Sequence, residues 1–287
     1  MSQGRFDASA LPPIREVIAR HGLRAEKRLG QHFLHDGNLC ARIVRAAAPL
    51  DGAEVIEVGP GPGGLTRALL ASPARAVIAI ERDARCIAAL DELAAAAGAR
   101  LRLIAADALA VDVLALAQPP RAVVANLPYN IATALLVRWL EAVARDAGAL
   151  RSMTVMLQKE VADRLAAAAG GRTYGRLSVL AQWLCEVRPA FTVPARAFTP
   201  PPKVTSTLLR LDPRPRPLCP ADAGALQRVC AAAFGQRRKM IRTSLKQLPV
   251  DAARLLDAAG IAGELRAEQV GVAGFCALAR ALEQAER

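Results

Sequence analysis

The 287-residue chain contains few aromatic side chains and no long apolar run. Aromatic residues make up 3% of the sequence, whereas alanine alone supplies 62 residues, so the core must consist mainly of Leu, Ile, Val and Ala. The longest uncharged run, 122–137, has 16 residues and includes Asn126, Pro128 and Asn130. A membrane-spanning helix needs about 20 apolar residues. The sequence therefore predicts no transmembrane helix.

Cysteine and histidine are also sparse, with six Cys and three His and no C-x-x-C motif. Their spacing does not match a disulfide scaffold or a zinc site, so we expect no metal. The N-terminal segment lacks the apolar core of a signal peptide, and it carries the acidic residues Asp7, Glu16 and Glu26, which are atypical of an import sequence. We therefore expect a cytoplasmic protein that is not bound to a membrane.

The charge is unevenly distributed along the chain. The formal net charge is +12, from 38 basic and 26 acidic residues. Residues 51–150 carry 9 basic and 11 acidic side chains, whereas 1–50 carry 8 and 4, and 151–287 carry 21 and 11. A near-neutral centre with basic flanks suits a small-ligand site beside a surface that binds nucleic acid. Charge alone equally allows a generally basic, soluble surface.

Hydrophobic patterning predicts an α/β fold. Apolar β-branched runs at 53–58, 76–80, 101–104 and 122–125 are typical of buried parallel strands. They alternate with stretches of helical period at 38–48, 65–71, 84–97 and 131–144. This alternation predicts a Rossmann-like, doubly wound sheet.

Three later strands and a Pro-rich segment define the domain organisation. Strands are expected at 153–158, 187–193 and 205–211, and the last two should pair antiparallel at one edge, because no long helix fits between them. The segment 212–220 has four prolines in nine residues and predicts an extended linker. We therefore expect a sheet-containing domain at 1–212 with a basic N-terminal segment, a linker at 213–220 and a helical domain at 221–287. Helices in the last domain are expected at 221–234, 237–247, 251–259 and 274–285.

A glycine-rich loop follows the first predicted strand. Residues 57–64 read E-V-G-P-G-P-G-G, and glycines such as Gly59 and Gly61 at a strand-to-helix turn let the backbone approach a ligand closely. The spelling also fits the dinucleotide motif G-x-G-x-x-G, and Glu81 after the second strand suits a ribose diol in either case. An S-adenosyl-L-methionine site is favoured because Glu57 precedes the loop and Asp107, after the third strand, is placed to meet an adenine amino group.

The tetrapeptide Asn126-Leu127-Pro128-Tyr129 follows the fourth strand and is the strongest catalytic signal. The exocyclic amine of a base is a poor nucleophile, because its lone pair is delocalised into the ring. The Asn126 Oδ1 atom and the Leu127 carbonyl can accept the two amine hydrogens, with Pro128 holding the turn, and so orient the lone pair. Tyr129 offers a ring for base stacking. Read alone, the same residues are also compatible with a simple turn.

Five ordered motifs resemble the ribosomal RNA adenine N6-dimethyltransferase family, most closely its small-subunit members. They are K-R-L-G-Q-H-F-L at 27–34, the glycine loop, N-L-P-Y at 126–129, F-T-V-P followed by F-T-P-P-P-K-V at 191–204, and F-G-Q-R-R-K at 234–239. The resemblance covers nearly the whole chain, and it implies an S-adenosyl-L-methionine-dependent methyltransferase domain at 1–212 and an RNA-binding domain at 221–287. It implies that the cofactor contacts are made by His32, Leu34, Gly59, Glu81, Asp107 and Asn126. His32 stands where many members have Asn. The resemblance also places Phe191 in the base pocket opposite Tyr129, although the sequence alone allows a core position.

A basic stretch lies between residues 227 and 246, with six basic side chains and no acidic one. On a single helix over 237–247, Arg238, Arg242 and Lys246 would fall on one face at i, i+4 and i+8. Stacked like charges repel, and a bound polyanion would relieve that repulsion. A solvated helix face is the alternative.

The resemblance implies dimethylation at N6 of two adjacent adenosines in the 3′-terminal hairpin of small-subunit rRNA. The expected substrate is rRNA within an immature 30S-type subunit, and the protein is expected to act as a monomer. Three alternatives stay open: a large-subunit rRNA dimethyltransferase of the macrolide-resistance type, a ribosome-assembly factor with incidental catalysis, and, more remotely, a nicotinamide oxidoreductase.

Overall fold

The computed structural model of the protein describes residue 6 and residues 11–286. Asp7 lies outside the described residues, as do Met1, where the first predicted domain begins, and Arg287, where the second predicted domain ends. The chain divides into two compact units. The sheet unit comprises Met1–Trp139, Gly148–Lys159 and Arg188–Asp212, and the helical unit comprises Leu140–Ala147, Glu160–Val187 and Pro213–Arg287.

Seven strands form the main sheet in the order β4-β3-β2-β5-β6-β9-β7. Within the five strands β4-β3-β2-β5-β6, neighbours pair in parallel. Strand β9 is antiparallel to β6 and lies beside the edge strand β7. The Rossmann-like fold class predicted from the sequence is thereby confirmed. The strands are β1 (Phe33–Leu34), β2 (Glu54–Val58), β3 (Ala76–Glu81), β4 (Leu101–Ala105), β5 (Arg121–Asn126), β6 (Ser152–Gln158), β7 (Cys185–Val193), β8 (Phe198–Thr199) and β9 (Ser206–Pro213).

The helices begin and end at local signals in the sequence. Asp36 and Asp83 cap two of them by accepting hydrogen bonds from backbone amides of the first turn. The helices are α1 (Ile14–Arg20), α2 (Gly37–Ala47), α3 (Gly64–Leu70), α4 (Ala84–Ala97), α5 (Ala132–Arg145), α6 (Lys159–Ala166), α7 (Arg176–Leu184), α8 (Ala223–Gly235), α9 (Ile241–Ser244), α10 (Ala252–Ala259) and α11 (Val272–Ala285). Helices α6 and α7 were not predicted. No helix among residues 6 and 11–286 combines the length and apolar character needed to cross a bilayer.

The core of the sheet unit surrounds strands β2 and β3, every residue of which is buried. Leucines of α3, such as Leu69 and Leu70, pack against this core together with Ile43 of α2. Leu, Ile, Val and Ala dominate the cluster, as the composition predicted. Strands β3 and β4 lie on one side of β2, and β5 and β6 lie on the other, so the strand order reverses direction beside β2. Ligands bind at such a switch point, beyond the carboxyl ends of the strands.

A second, two-stranded ladder joins distant parts of the sequence. Strands β1 and β8 pair antiparallel, with Phe33 opposite Thr199 and Leu34 opposite Phe198. The ladder therefore brings the N-terminal motif at 27–34 beside the Pro-rich motif at 198–204.

The helical unit has its own aromatic centre, in which the ring of Phe234 lies 6.0 Å from that of Tyr174 and 5.2 Å from that of Phe275. The Pro-rich segment beyond β9 has no regular structure, but it is hydrogen-bonded within this unit. The indole Nε1 of Trp183 donates to the Cys219 carbonyl at 2.7 Å, and the Leu218 amide donates to the Trp183 carbonyl at 2.8 Å. The functional division at 213–220 stays a prediction.

The single helix predicted over 237–247 is wrong. Met240 is extended and forms a bridge with Arg266, and the Ile241 amide donates to the Leu265 carbonyl. These long-range contacts interrupt the helix, so only the four residues of α9 and one following 3₁₀ turn are helical. Arg238 therefore precedes the helix, and Arg238, Arg242 and Lys246 do not share one helical face.

Candidate active site

The glycine loop connects β2 to α3 and depends on glycine for its conformation. Gly61 has φ of +55°, which other residues rarely adopt, and a Cβ there would lie 2.9 Å from the Phe33 ring. A Cβ on Gly64 would lie 2.4 Å from the Leu34 carbonyl oxygen. The backbone of the loop therefore packs directly against β1, in contact with the Phe33 ring and the Leu34 carbonyl.

Glu81, at the end of β3, holds the loop in place. Its side chain accepts hydrogen bonds from the amides of Gly61 (3.1 Å), Arg82 and Asp83 (both 2.9 Å). The residue is 4% exposed, and burial raises the pKa of its carboxyl, although the three amides oppose that rise. A carboxylate has about four acceptor positions, so one remains for a hydroxyl of a bound ligand.

Asp107 lies just beyond β4 and faces the same cleft. Its Oδ2 atom forms an ion pair with Arg82 at 2.9 Å, and its Oδ1 atom accepts the Leu109 amide. Because each oxygen has a further lone pair, the carboxylate can still accept an exocyclic amine.

Asn126, the last residue of β5, has an uneven hydrogen-bonding environment. Its Nδ2 atom donates to the His32 carbonyl at 2.8 Å, whereas its Oδ1 atom is buried and has no hydrogen-bond partner. A buried acceptor without a partner costs free energy unless a ligand supplies the donor. Oδ1 is therefore available to accept a hydrogen bond from an N–H or O–H group of a ligand.

The rest of the tetrapeptide forms the wall of the cleft. Leu127 is buried, and the Pro128 carbonyl accepts the Ile131 and Ala132 amides at 3.1 Å, which starts α5. The Tyr129 hydroxyl is hydrogen-bonded to that of Ser206 at the start of β9. The hydroxyl end of the Tyr129 side chain is thereby held, and Tyr129 lines the same cleft as Asn126.

His32 completes an aromatic cluster. Its ring lies 5.2 Å from that of Tyr129 and 6.5 Å from that of Phe198, and its Nδ1 atom is hydrogen-bonded to the Pro200 carbonyl at 2.8 Å. The side chain therefore contacts the aromatic wall, whereas its backbone carbonyl binds Asn126.

Glu57 and Leu34 lie deeper, around a small pocket that adjoins the cleft at Gly59 and Asn126. Glu57 is 1% exposed and its Oε2 atom has no hydrogen-bond partner. Burial raises the pKa of Glu57 to about 8, and the nearby Glu81 carboxylate adds to the rise.

One cleft thus collects most of the residues singled out from the sequence. It is lined by His32, Gly59, Gly61, Glu81, Asp107, Asn126, Leu127, Pro128 and Tyr129. Their convergence at the carboxyl ends of β2, β3, β4 and β5 suits a flat ligand that spans several strands. Among the described residues, no group of three or more His, Cys, Asp and Glu side chains is arranged to hold a metal ion.

The family profile described as ribosomal RNA adenine dimethylase matches residues 22–284. The chain belongs to this family. The resemblance that the five motifs carried is therefore confirmed. A relative from Rhodospirillum rubrum, named ribosomal RNA small subunit methyltransferase A, is 60% identical over 275 residues, which are 96% of this chain and 94% of that protein.

Two solved structures are also similar. The 23S rRNA methyltransferase ErmE is 30% identical, with a TM-score of 0.67 over 88% of this chain and 100% of that one. A dimethyladenosine transferase from Plasmodium falciparum is 24% identical, with a TM-score of 0.74 over 89% of this chain and 98% of that one, and supports the fold.

Phe191, which the resemblance placed in the base pocket of this rRNA adenine dimethylase, does not line the cleft. Its ring packs against the sheet core, with the Arg42 guanidinium 3.8 Å above it. The aromatic residue that reaches the cluster of His32 and Tyr129 is Phe198, seven positions later. Phe198 belongs to the quoted motif at 198–204, but it is itself buried in the sheet core and does not line the cleft.

Other cleft residues were missed by the sequence reasoning. Gln31 bridges the Asp83 carboxylate and the Glu26 amide, and a Cβ on Gly30 would lie 2.6 Å from Asn130 Oδ1. Both belong to the motif at 27–34, which could have revealed them. Ser206 had no such signal, because its contact with Tyr129 spans 77 positions.

The basic residues proposed for RNA lie in the helical unit. Arg238, Arg242 and Lys246 are all exposed. Arg242 forms an exposed ion pair with Glu264 at 3.3 Å, which partly balances its charge. Their role in RNA binding stays a prediction.

Proposed function

We propose that the protein transfers methyl groups from S-adenosyl-L-methionine to N6 of two adjacent adenosines in the 3′-terminal hairpin of small-subunit rRNA, giving N6,N6-dimethyladenosine. Membership of the rRNA adenine dimethylase family supports the reaction, and the 60% identity to a small-subunit methyltransferase supports the choice of subunit. The observation that carries the chemistry is the unpartnered, buried Oδ1 atom of Asn126.

In the proposed mechanism, Asn126 orients the target amine. With its amide nitrogen held by the His32 carbonyl, Asn126 presents Oδ1 to one N6 hydrogen, and the Leu127 carbonyl accepts the other. The nitrogen lone pair then points away from the ring plane. Tyr129 stacks on the adenine, held by its contact with Ser206.

S-adenosyl-L-methionine, when bound, supplies an electrophilic methyl group on a sulfonium. With its two hydrogens accepted by Asn126 and Leu127, the N6 amine would attack that methyl group, the C–N bond forming as the C–S bond to the departing thioether breaks, and the amine would release one proton to water. Two such transfers to one nitrogen need a pocket that accepts an N6-methyl group.

The residues around the glycine loop fit that cofactor. We assign one ribose hydroxyl to the remaining acceptor position of Glu81 and the adenine amine to Asp107. The backbones of Gly59 and Gly61 allow close approach, and His32 and Leu34 flank the methionine end. A nicotinamide cofactor is disfavoured, because a pyrophosphate-binding loop has no need of a buried carboxyl such as Glu57 beside it.

We further propose that the enzyme acts as a monomer on an immature 30S-type subunit. Because its substrate is then a ribosomal subunit under assembly, the reaction takes place in the cytoplasm.

Mass spectrometry of rRNA from a deletion strain tests the proposal. N6,N6-dimethyladenosine should be absent from small-subunit rRNA of that strain and return on complementation with the wild-type gene, but not with Asn126→Ala. Loss of the modified base from large-subunit rRNA instead would identify a large-subunit enzyme. If Asn126→Ala restored subunit assembly as fully as the wild type, the assembly role would be independent of catalysis.

A further inference from the structure

A second surface of the sheet unit is lined by arginines and lies outside the reaction cleft. It is a groove between α2, α3 and the segment 192–199, and we call it the arginine groove. Four exposed arginines line it, namely Arg15, Arg42, Arg45 and Arg196. Among the described residues, none of the four lies within ion-pair distance of a carboxylate, and each therefore retains its charge without compensation.

The other polar residues of the groove offset these charges only in part. Asp36 is the one acidic residue of the lining; its Oδ1 atom accepts the Asn38 and Leu39 amides in capping α2, and its single negative charge is outnumbered by the four arginines. His35 also lines the groove, and burial, helped by the charge of Arg15, lowers the pKa of its imidazole. At neutral pH the imidazole is thus uncharged, and the positive potential comes from the arginines.

Arg42 is held in position from below. Its guanidinium lies 3.8 Å above the ring of Phe191, which in turn packs on the sheet core. Stacking on an aromatic face fixes the guanidinium plane while its N–H edge stays free to donate hydrogen bonds. This is the arrangement that suits a phosphate oxygen, and it gives Phe191 a function outside the base pocket.

The arginine groove begins where the reaction cleft ends. The β1–β8 ladder separates them: His32 at one end of β1 lines the cleft, and His35 at the other end lines the groove. Three residues of extended chain span about 10 Å. An RNA strand with one adenosine in the cleft can therefore cross the ladder and reach the arginines.

We infer that the arginine groove binds the phosphate backbone of the rRNA next to the target adenosines. The inference rests on the proposed function, because the RNA is taken to be the substrate whose base enters the cleft. Clustered, unpaired arginines repel one another, and a phosphodiester chain relieves that repulsion while releasing its counterions.

The test compares two triple variants with equal loss of charge. The groove variant carries Arg42→Gln, Arg45→Gln and Arg196→Gln. The control carries Arg102→Gln, Arg145→Gln and Arg254→Gln, which replace exposed arginines that line neither the groove nor the cleft. Binding of unmethylated small ribosomal subunits is measured from 50 to 300 mM salt, and cofactor affinity is measured by calorimetry.

The groove variant should lose about two units of the slope of log K against log salt, at roughly 0.7 to 0.9 per phosphate contact, with cofactor affinity unchanged. The control should keep the wild-type slope. Phe191→Leu, which retains apolar packing but removes the aromatic face, should weaken subunit binding less than Arg42→Gln. An unchanged slope in a folded groove variant, or an equal loss in the control, would overturn the inference. Failure of the wild-type protein to methylate any adenosine would instead reject the proposed function, since the salt slope is measured without turnover.

Discussion

Asn126 donates its side-chain amide to the backbone carbonyl of His32 at 2.8 Å, across 94 positions of sequence. The bond fixes which atom of the amide faces the cleft, because the nitrogen is used and the oxygen is left buried without a partner. The N-terminal motif at 27–34 therefore orients the Asn126 side chain, to which we assign the target amine.

Asn126→Ala should slow methyl transfer by about 10² or more, the scale of losing one preorganised contact, while cofactor affinity falls only modestly. Asn126→Asp keeps an acceptor but places a carboxylate against the His32 carbonyl, so it should also be slow. Single-turnover rates on unmethylated subunits check both variants. Rates within threefold of the wild type for Asn126→Ala would remove Asn126 from its assigned role.

Tyr129 provides a matched pair of substitutions. Tyr129→Phe keeps the stacking ring and loses only the hydrogen bond to Ser206, whereas Tyr129→Ala loses both. Stacking on a base contributes about 1 to 3 kcal/mol, so the alanine variant should lose roughly 5- to 150-fold in kcat/KM and the phenylalanine variant much less. Equal losses in the two variants would mean that the hydroxyl, and not the ring, is what matters.

Local sequence signals predicted the parts of the fold and site that depend on neighbours in the chain. The glycine loop, Glu81, Asp107 and Asn126 each lie at or just beyond the carboxyl end of a strand, and parallel strands bring these ends to one edge. Knowing the strand order was therefore unnecessary for predicting that these residues meet.

Contacts between distant segments were beyond the sequence reasoning. The β1–β8 ladder pairs Phe33 with Thr199 through two-residue strands that have no periodicity to detect. The bridge between Met240 and Arg266 breaks a helix that the local pattern favoured. Phe191 and Phe198 have similar local sequences, and it is the ladder that places Phe198, and not Phe191, beside the His32 ring.

Glu81→Ala should weaken S-adenosyl-L-methionine binding by about 1.5 to 3 kcal/mol, the value of a hydrogen bond to a charged group, and it should also loosen the Gly61 turn. Asp107→Ala should lose a similar amount. Calorimetry gives both affinities, with NAD as the comparison ligand. Affinities equal to that of the wild type would contradict the assigned contacts, and tight NAD binding would contradict the cofactor.

Glu57 should make the protein less stable as the pH rises. Its pKa is about 8 in the folded protein against 4.5 for the free side chain, so between these values the folded state keeps a proton that the unfolded state has released. The free energy of unfolding contributed by this group therefore falls from pH 4.5 to 8, by on the order of 3 to 5 kcal/mol, and then levels off.

Glu57→Gln removes that titration. The stability of this variant relative to the wild type should increase between pH 5.5 and pH 8.5, measured by urea unfolding at each pH. Glu160→Gln removes a charge from an exposed position of α6 and serves as the control. A stability difference for Glu57→Gln that stays constant over this range would show that Glu57 is not the titrating group.

The exposed basic residues of the helical unit, Arg238, Arg242 and Lys246, are expected to contact phosphates and not bases. Replacing all three by Gln should weaken subunit binding, leave cofactor affinity unchanged, and lower the slope of log K against log salt by about two units if all three contacts form. Since Arg242 is paired with Glu264, Glu264→Gln should strengthen binding by freeing that guanidinium. An unchanged slope in the folded triple variant would identify these residues as a solvated surface and leave RNA binding to other parts of the protein.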